Sequence, residues 1–142
     1  MGKYRTINHT ADLAVELQAD TIEDLFKTAA RAWRNAVLEK SKVRKQETKK
    51  IELHSPMLDE LLVETVSELN YLFSVGQWLF SDFKKLDIYE ENEEWYLTAM
   101  VTGEPFDEER HQVEAEIKAV TFHKMDIRRV NGKFKTTMVF DI

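Results

Sequence analysis

The run Asp12-Leu13-Ala14-Val15-Glu16-Leu17-Gln18-Ala19-Asp20-Thr21-Ile22-Glu23-Asp24-Leu25-Phe26 changes its period in the middle, and that change decides the fold class. From Asp12 to Ala19 apolar side chains recur every second residue. Leu13, Val15, Leu17 and Ala19 fall on one face, as in a half-buried strand. Thr21 then stands at an N-cap, where its hydroxyl can accept an amide hydrogen bond, with Asp24 at the capping-box position. Behind it Ile22, Leu25, Phe26, Ala29, Trp33 and Val37 recur at helical spacing, which predicts a helix from about Ile22 to Leu38.

Working outward, Lys3 to Thr6 reads as a strand. Between Lys40 and Lys50 six basic residues meet only Glu47, and a strand with Ile51 and Leu53 facing inward follows. Ser55-Pro56 predicts the start of a second helix, the serine capping and the proline in the first turn. Leu58, Leu61, Leu62, Val66, Leu69, Leu72 and Phe73 give it a broad apolar stripe, widened by Val63 and Tyr71. After Gly76 the pattern is β. Lys84–Tyr89 and Trp95–Thr102 flank an acidic turn, residues 103–107 read as a polar loop, and Val113, Ala115, Ile117 and Ala119 alternate. Asn131-Gly132 lies between two alternating runs, a strong hairpin signal because both residues tolerate positive φ. In the last strand Phe134, Thr136, Met138 and Phe140 share one face, with Lys135, Thr137, Val139 and Asp141 on the other. The order predicts an α+β fold in a single domain over residues 1–142, two main helices layered with largely antiparallel β-sheet.

Composition narrows the function classes. The 142 residues carry 20 Lys+Arg against 26 Asp+Glu, a net charge of −6, and no cysteine. Without cysteine there is no disulfide, thiolate metal site or thiol nucleophile, so a metal must take oxygen or imidazole ligands. No apolar run approaches the roughly 18 residues that span a bilayer, and a cytoplasmic protein without membrane attachment is expected. The acidic balance argues against dominant nucleic-acid binding, although a local basic patch is compatible with it. Glycine-rich phosphate loops, His-Glu-x-x-His and Gly-x-Ser-x-Gly are all absent.

Four features can carry chemistry. His9-Thr10-Ala11-Asp12 places an imidazole and a carboxylate three apart at a turn, suited to a divalent cation or an acid/base pair; a plain Asx or Ser/Thr turn is the bland alternative. Asp141 stands beside the α-carboxylate of Ile142, two anions that repel unless a cation or proton intervenes; a frayed, solvated end is the alternative. Lys118-Ala119-Val120-Thr121-Phe122-His123 sets a lysine and a histidine five apart, on opposite faces of an unbroken strand. Lastly, the basic run 40–50 can meet an RNA backbone, with Trp33, Trp78 and Trp95 available for base stacking; a solvated loop and a core Trp33 are the alternative.

In this order the pieces resemble the archease family. The resemblance rests on His9-Thr10-Ala11-Asp12, the helix opening Thr21 to Phe26, Leu61-Leu62-Val63-Glu64 with Glu68 to Leu72, Gly103-Glu104, Lys118 to His123, and the ending Val139-Phe140-Asp141-Ile142. Asn8, Leu13-Ala14 and Phe122 depart from the family's usual residues. The resemblance implies an α+β fold and an accessory protein of the tRNA-splicing RNA ligase, promoting its guanylylation and repeated turnover in tRNA splicing. It also implies a metal site, usually calcium, formed by Asp12, Asp141 and the terminal carboxylate of Ile142, and a role for Lys118 in activation. Asp12, Asp141, Lys118, His9 and His123 are the residues tied to activation on this reading, and no enzyme activity of the chain's own is expected.

Two other functions fit the same residues. In a metal-dependent phosphoester hydrolase, Asp12 and Asp141 would hold the cation with His9 or His123 as general base. A chaperone-like module for RNA-modifying enzymes would recognise partners through a helix or the acidic hairpin, tRNA being contacted only indirectly.

Overall fold

The computed structural model describes residues 2–8, 12–38, 42–121 and 126–142. His9, Thr10 and Ala11 of the first motif, and Phe122 and His123 of the lysine–histidine run, lie outside the described residues.

Strand β1 (Lys3–Asn8) pairs antiparallel with β2 (Asp12–Ala19), with Arg5 opposite Glu16. The alternation of β2 does what its sequence demands: Val15, Leu17 and Ala19 are buried and Leu13 packs against the core. Thr21 caps α1 (Ile22–Val37), its hydroxyl accepting from the Asp24 amide at 3.0 Å. Burial of Leu25, Phe26, Ala29, Trp33 and Val37 places the predicted stripe inside.

Strand β3 (Glu47–Ser55) begins within the basic run, and Ser55 ends it in place of capping a helix. Helix α2 (Leu58–Ser74) starts two residues later than Ser55-Pro56 predicted, with Met57 at its N-cap and no side-chain cap bond. Pro56 thereby occupies a bend where its missing N–H costs nothing. Leu61, Leu62, Val66 and Leu69 are fully buried, but Tyr71 is 56% exposed and does not widen the stripe.

Strands β4 (Trp78–Glu91) and β5 (Glu94–Pro105) are longer than their alternation predicted. Register shifts between Phe80 and Asp82 and between Phe83 and Lys85 break the period, so that Trp78, Leu79, Phe80 and Ser81 are buried in succession. A bulge adds a residue to one strand and resets its faces, which hides the strand from a period-two reading. Residues 103–105, expected as loop, finish β5. Gly103 is required there, because a Cβ would lie 2.0 Å from the Leu79 carbonyl oxygen. The acidic turn closes through Asn92 and Glu93, both at positive φ.

The alternating run 113–119 is not a strand. Only β6 (Ala119–Thr121) is; Val113 is exposed and Ile117 buried. This segment is held from outside instead, Glu114 N–H donating to the Val37 carbonyl at 2.7 Å and Asn70 to the Ile117 carbonyl at 2.9 Å. The Asn131-Gly132 turn joins β7 (Arg128–Val130) to β8 (Lys133–Asp141) as predicted, with both turn residues at positive φ.

The strands form two antiparallel sheets. One has the order β1-β2-β8-β6, with β7 also on β8; the other is β3-β5-β4. Each helix touches both sheets and the other helix, so one continuous core draws on every element from β2 to β8 except β7. Trp33 marks its centre: fully buried, it donates its indole N–H to Asn70 at 2.9 Å and so ties α1 to α2.

Candidate metal centre

The register of the five-stranded sheet builds the site. Along β2 and β8 the antiparallel pairing sets Asp12 directly opposite Asp141, and β6 sets Ala119 opposite Asp141 on its other side. Residues directly opposite share a face with Cβ atoms about 5 Å apart. The row Asp12–Asp141–Ala119 therefore brings two carboxylates together beside the Ala119 methyl group. Asp12 is half-buried, while Asp141 and Ile142 are exposed at the sheet end. Lys118 precedes β6 and reaches the same place through its backbone, its amide donating to the Asp141 carbonyl at 2.7 Å.

Facing carboxylates at this separation repel, and a hard cation relieves that repulsion while accepting oxygen ligands. Among the described residues no three His, Cys, Asp or Glu side chains come together as a metal-binding group. Among the described residues the side-chain ligands offered here are the carboxylates of Asp12 and Asp141. Two carboxylates supply up to four oxygens, and carbonyls or water can complete the six to eight that calcium takes. The donor set fits such an ion and disfavours a soft metal.

Tertiary structure also answers for the basic run. Lys45 lies 3.7 Å from Asp82, Lys50 2.7 Å from Glu52, and Lys49 sits over the Trp78 ring. Trp33 and Trp78 are buried, and Trp78 donates to Glu47 at 2.8 Å. Trp33 and Trp78 are thereby committed to the fold, Trp95 is half-buried against the core, and Lys40 lies outside the described residues.

One cluster escaped the sequence reading altogether. Glu104 is buried at the end of β5, where its carboxylate accepts from the Arg44 amide at 2.6 Å, from Arg110, and from His111 Nε2 at 3.1 Å. The Asp107 amide donates to His111 Nδ1 at 2.9 Å, which assigns the imidazole proton to Nε2. Burial works to raise the Glu104 carboxyl, but the Arg44 amide, His111 and Arg110 outweigh it and hold the group below its ordinary range. The cluster stitches residues 105–111 and the chain around Arg44 to the β3-β5-β4 sheet. Its sequence signal is faint: a Gly-Glu pair followed six and seven residues later by Arg-His.

Fold and site together define a class: a small α+β protein, two helices packed with two antiparallel sheets, with two carboxylates set opposite one another at one sheet end. The chain matches the Archease protein family (MTH1598/TM1083) over residues 4–142 and belongs to that family. The archease of Methanosarcina mazei is 37% identical over 140 residues, covering 99% of this chain and 96% of that protein. The Pyrococcus furiosus archease is 32% identical with both chains fully covered. Among solved structures, Methanobacterium thermoautotrophicum protein 1598 superposes with a TM-score of 0.84 at 30% identity, covering 98% of both chains. A Thermotoga maritima archease, described as a possible chaperone, gives a TM-score of 0.54 at 26% identity, over 97% of this chain and 96% of that one.

Proposed function

We propose that the protein is a non-enzymatic activator of the tRNA-splicing RNA ligase, promoting guanylylation and multiple turnover of that enzyme in the cytoplasm. The observation that carries this reading is the register that sets Asp12 opposite Asp141 beside Lys118. Asp12, Asp141 and the Ile142 carboxylate would hold calcium, which, when bound, supplies positive charge for phosphate oxygens of the ligase's nucleotide. The chain's own part is geometric. Strands β2, β8 and β6 would hold the two carboxylates at one sheet end, with the Lys118 backbone tied to Asp141 beside them. Among the described residues no helix is long and apolar enough to cross a membrane.

Ligase turnover tests this. Asp12→Ala and Asp141→Ala proteins that remain folded should reduce the ligase to single turnover, and undiminished multiple turnover in both overturns the proposal. Adding residues after Ile142 should weaken calcium binding, because the terminal carboxylate becomes an amide. A second reading is a chaperone-like module for RNA-modifying enzymes; the description of the Thermotoga maritima relative as a possible chaperone supports its chaperone part alone. It predicts client binding that survives removal of both carboxylates. Phosphoester hydrolysis by the protein alone would instead favour a metal-dependent hydrolase.

A further inference from the structure

Asp12 and Asp141 occupy one end of a sheet face whose other end is basic. Alternation along β8 places Lys135, Thr137, Val139 and Asp141 on the face away from buried Thr136, Met138 and Phe140. Reading across the sheet, one register row runs Lys3, Gln18, Lys135, Arg128 over β1, β2, β8 and β7, and the next runs Arg5, Glu16, Thr137. A cavity of about 650 Å³ lies over these rows, within the size range of ligand pockets. Arg128 and Lys135 are directly opposite one another, a like-charge pair that costs stability unless an anion joins it. Asp126 and Glu16 are the carboxylates in the cavity, and each is engaged by an arginine, Arg128 at 3.9 Å and Arg5 at 2.6 Å. Lys3 and Lys135 have no ion-pair partner among the described residues.

We propose that this cavity binds the sugar–phosphate backbone of a single nucleic-acid strand. Cations stand on both walls, Lys3 and Arg5 on β1 and Arg128 and Lys135 on β7 and β8, with the Gln18 amide and Thr137 hydroxyl as hydrogen-bonding groups between them. Tyr4, the aromatic residue among the lining residues, lies opposite buried Leu17, and its hydroxyl accepts from Asn35 at 2.7 Å. Its ring belongs to the core side, so among the described lining residues no aromatic face is offered to bases and recognition falls on phosphates, without sequence preference. The protein as a whole carries −6, so attraction comes from this local arrangement and not from net charge. The site rests on neither a metal nor a ligase. It lies six residues along β2 and β8 from the carboxylate pair, about 20 Å at the strand rise, on the same face, so a strand seated here can run toward that pair.

Fluorescence anisotropy of a labelled oligouridylate with the full chain in EDTA tests the site. Binding should weaken with salt at a log–log slope of about −2 to −3, as expected for three or four phosphate contacts on a single strand. Lys135→Glu and Arg128→Glu should each weaken binding at least tenfold. Lys135→Glu replaces a like-charge pair with an opposite one, so its thermal midpoint should stay level or rise, separating lost binding from lost folding. Lys84→Glu, on β4 of the other sheet, makes the same charge change and should bind as wild type does. No binding at low salt, equal loss in Lys84→Glu, or complete displacement by low-millimolar inorganic phosphate would overturn the proposal. Asp12→Ala should bind the strand normally, so failure of the activator reading and failure of this site are distinguishable.

Discussion

Glu104 collects three donors onto one buried carboxylate, and its removal has a defined cost. Glu104→Gln keeps the volume but leaves Arg110 and the Arg44 amide poorly matched, and Arg110 is partly solvated and recovers some hydration. The expected loss is about 2–3 kcal/mol at neutral pH, read from urea unfolding. The pH dependence has a definite sign. A carboxyl held below its ordinary range in the folded state stabilises above the unfolded value of about 4.3, and that contribution is lost as pH falls through the depressed folded value. Wild type should therefore lose stability on acidification more steeply than Glu104→Gln. At this scale the sequence was legible where a residue's role depends on near neighbours. Thr21 and Asn131-Gly132 were read correctly because capping and positive φ are local properties. Glu104 was not, since its partners sit at Arg44, Arg110 and His111, and a Gly-Glu-Pro run reads as loop unless those contacts are known.

Elements divide along the same line. Strand β2 and helix α1 follow from unbroken periods, and their boundaries fall within a residue of the sequence reading. Loss of the α1 cap should therefore behave as in other helices: Thr21→Ala is expected to cost about 1 kcal/mol by chemical denaturation, with the Asp24 amide left to water. Strand β4 was truncated because two bulges reset its faces, and the segment 113–119 was taken for a strand because its apolar residues alternate by coincidence, though only its last residue enters β6. Asn70 and Val37 pin that segment, and neither belongs to a sheet. Gly103 shows the opposite case, an element boundary fixed by a contact across strands. Gly103→Ala should destabilise by more than about 2 kcal/mol, since backbone and not a flexible side chain fills the space a Cβ would take.

Over the whole molecule, the sheet end joins residues from three distant parts of the chain, Asp12, Lys118 and Asp141. An ion bridging β2 and β8 should stabilise the entire fold. Calcium at one hundred times its dissociation constant would add about 2.7 kcal/mol, a rise of several degrees in thermal midpoint. Asp141→Asn should lose that gain, yet in EDTA it should be at least as stable as wild type, because the facing negative charge is gone. A calcium response that persists in the variant would place the ion elsewhere. Taken alone, the sequence determined the α+β class, the two apolar helices, the terminal hairpin and the resemblance that named the candidate residues, all properties carried by local period and order. Only the tertiary structure decided which charges meet. Antiparallel register paired Asp12 with Asp141 and Lys135 with Arg128, and buried Glu104 against an arginine and a histidine. Register depends on partners far away in the chain, and a shift of one residue would turn every one of these side chains to the other face.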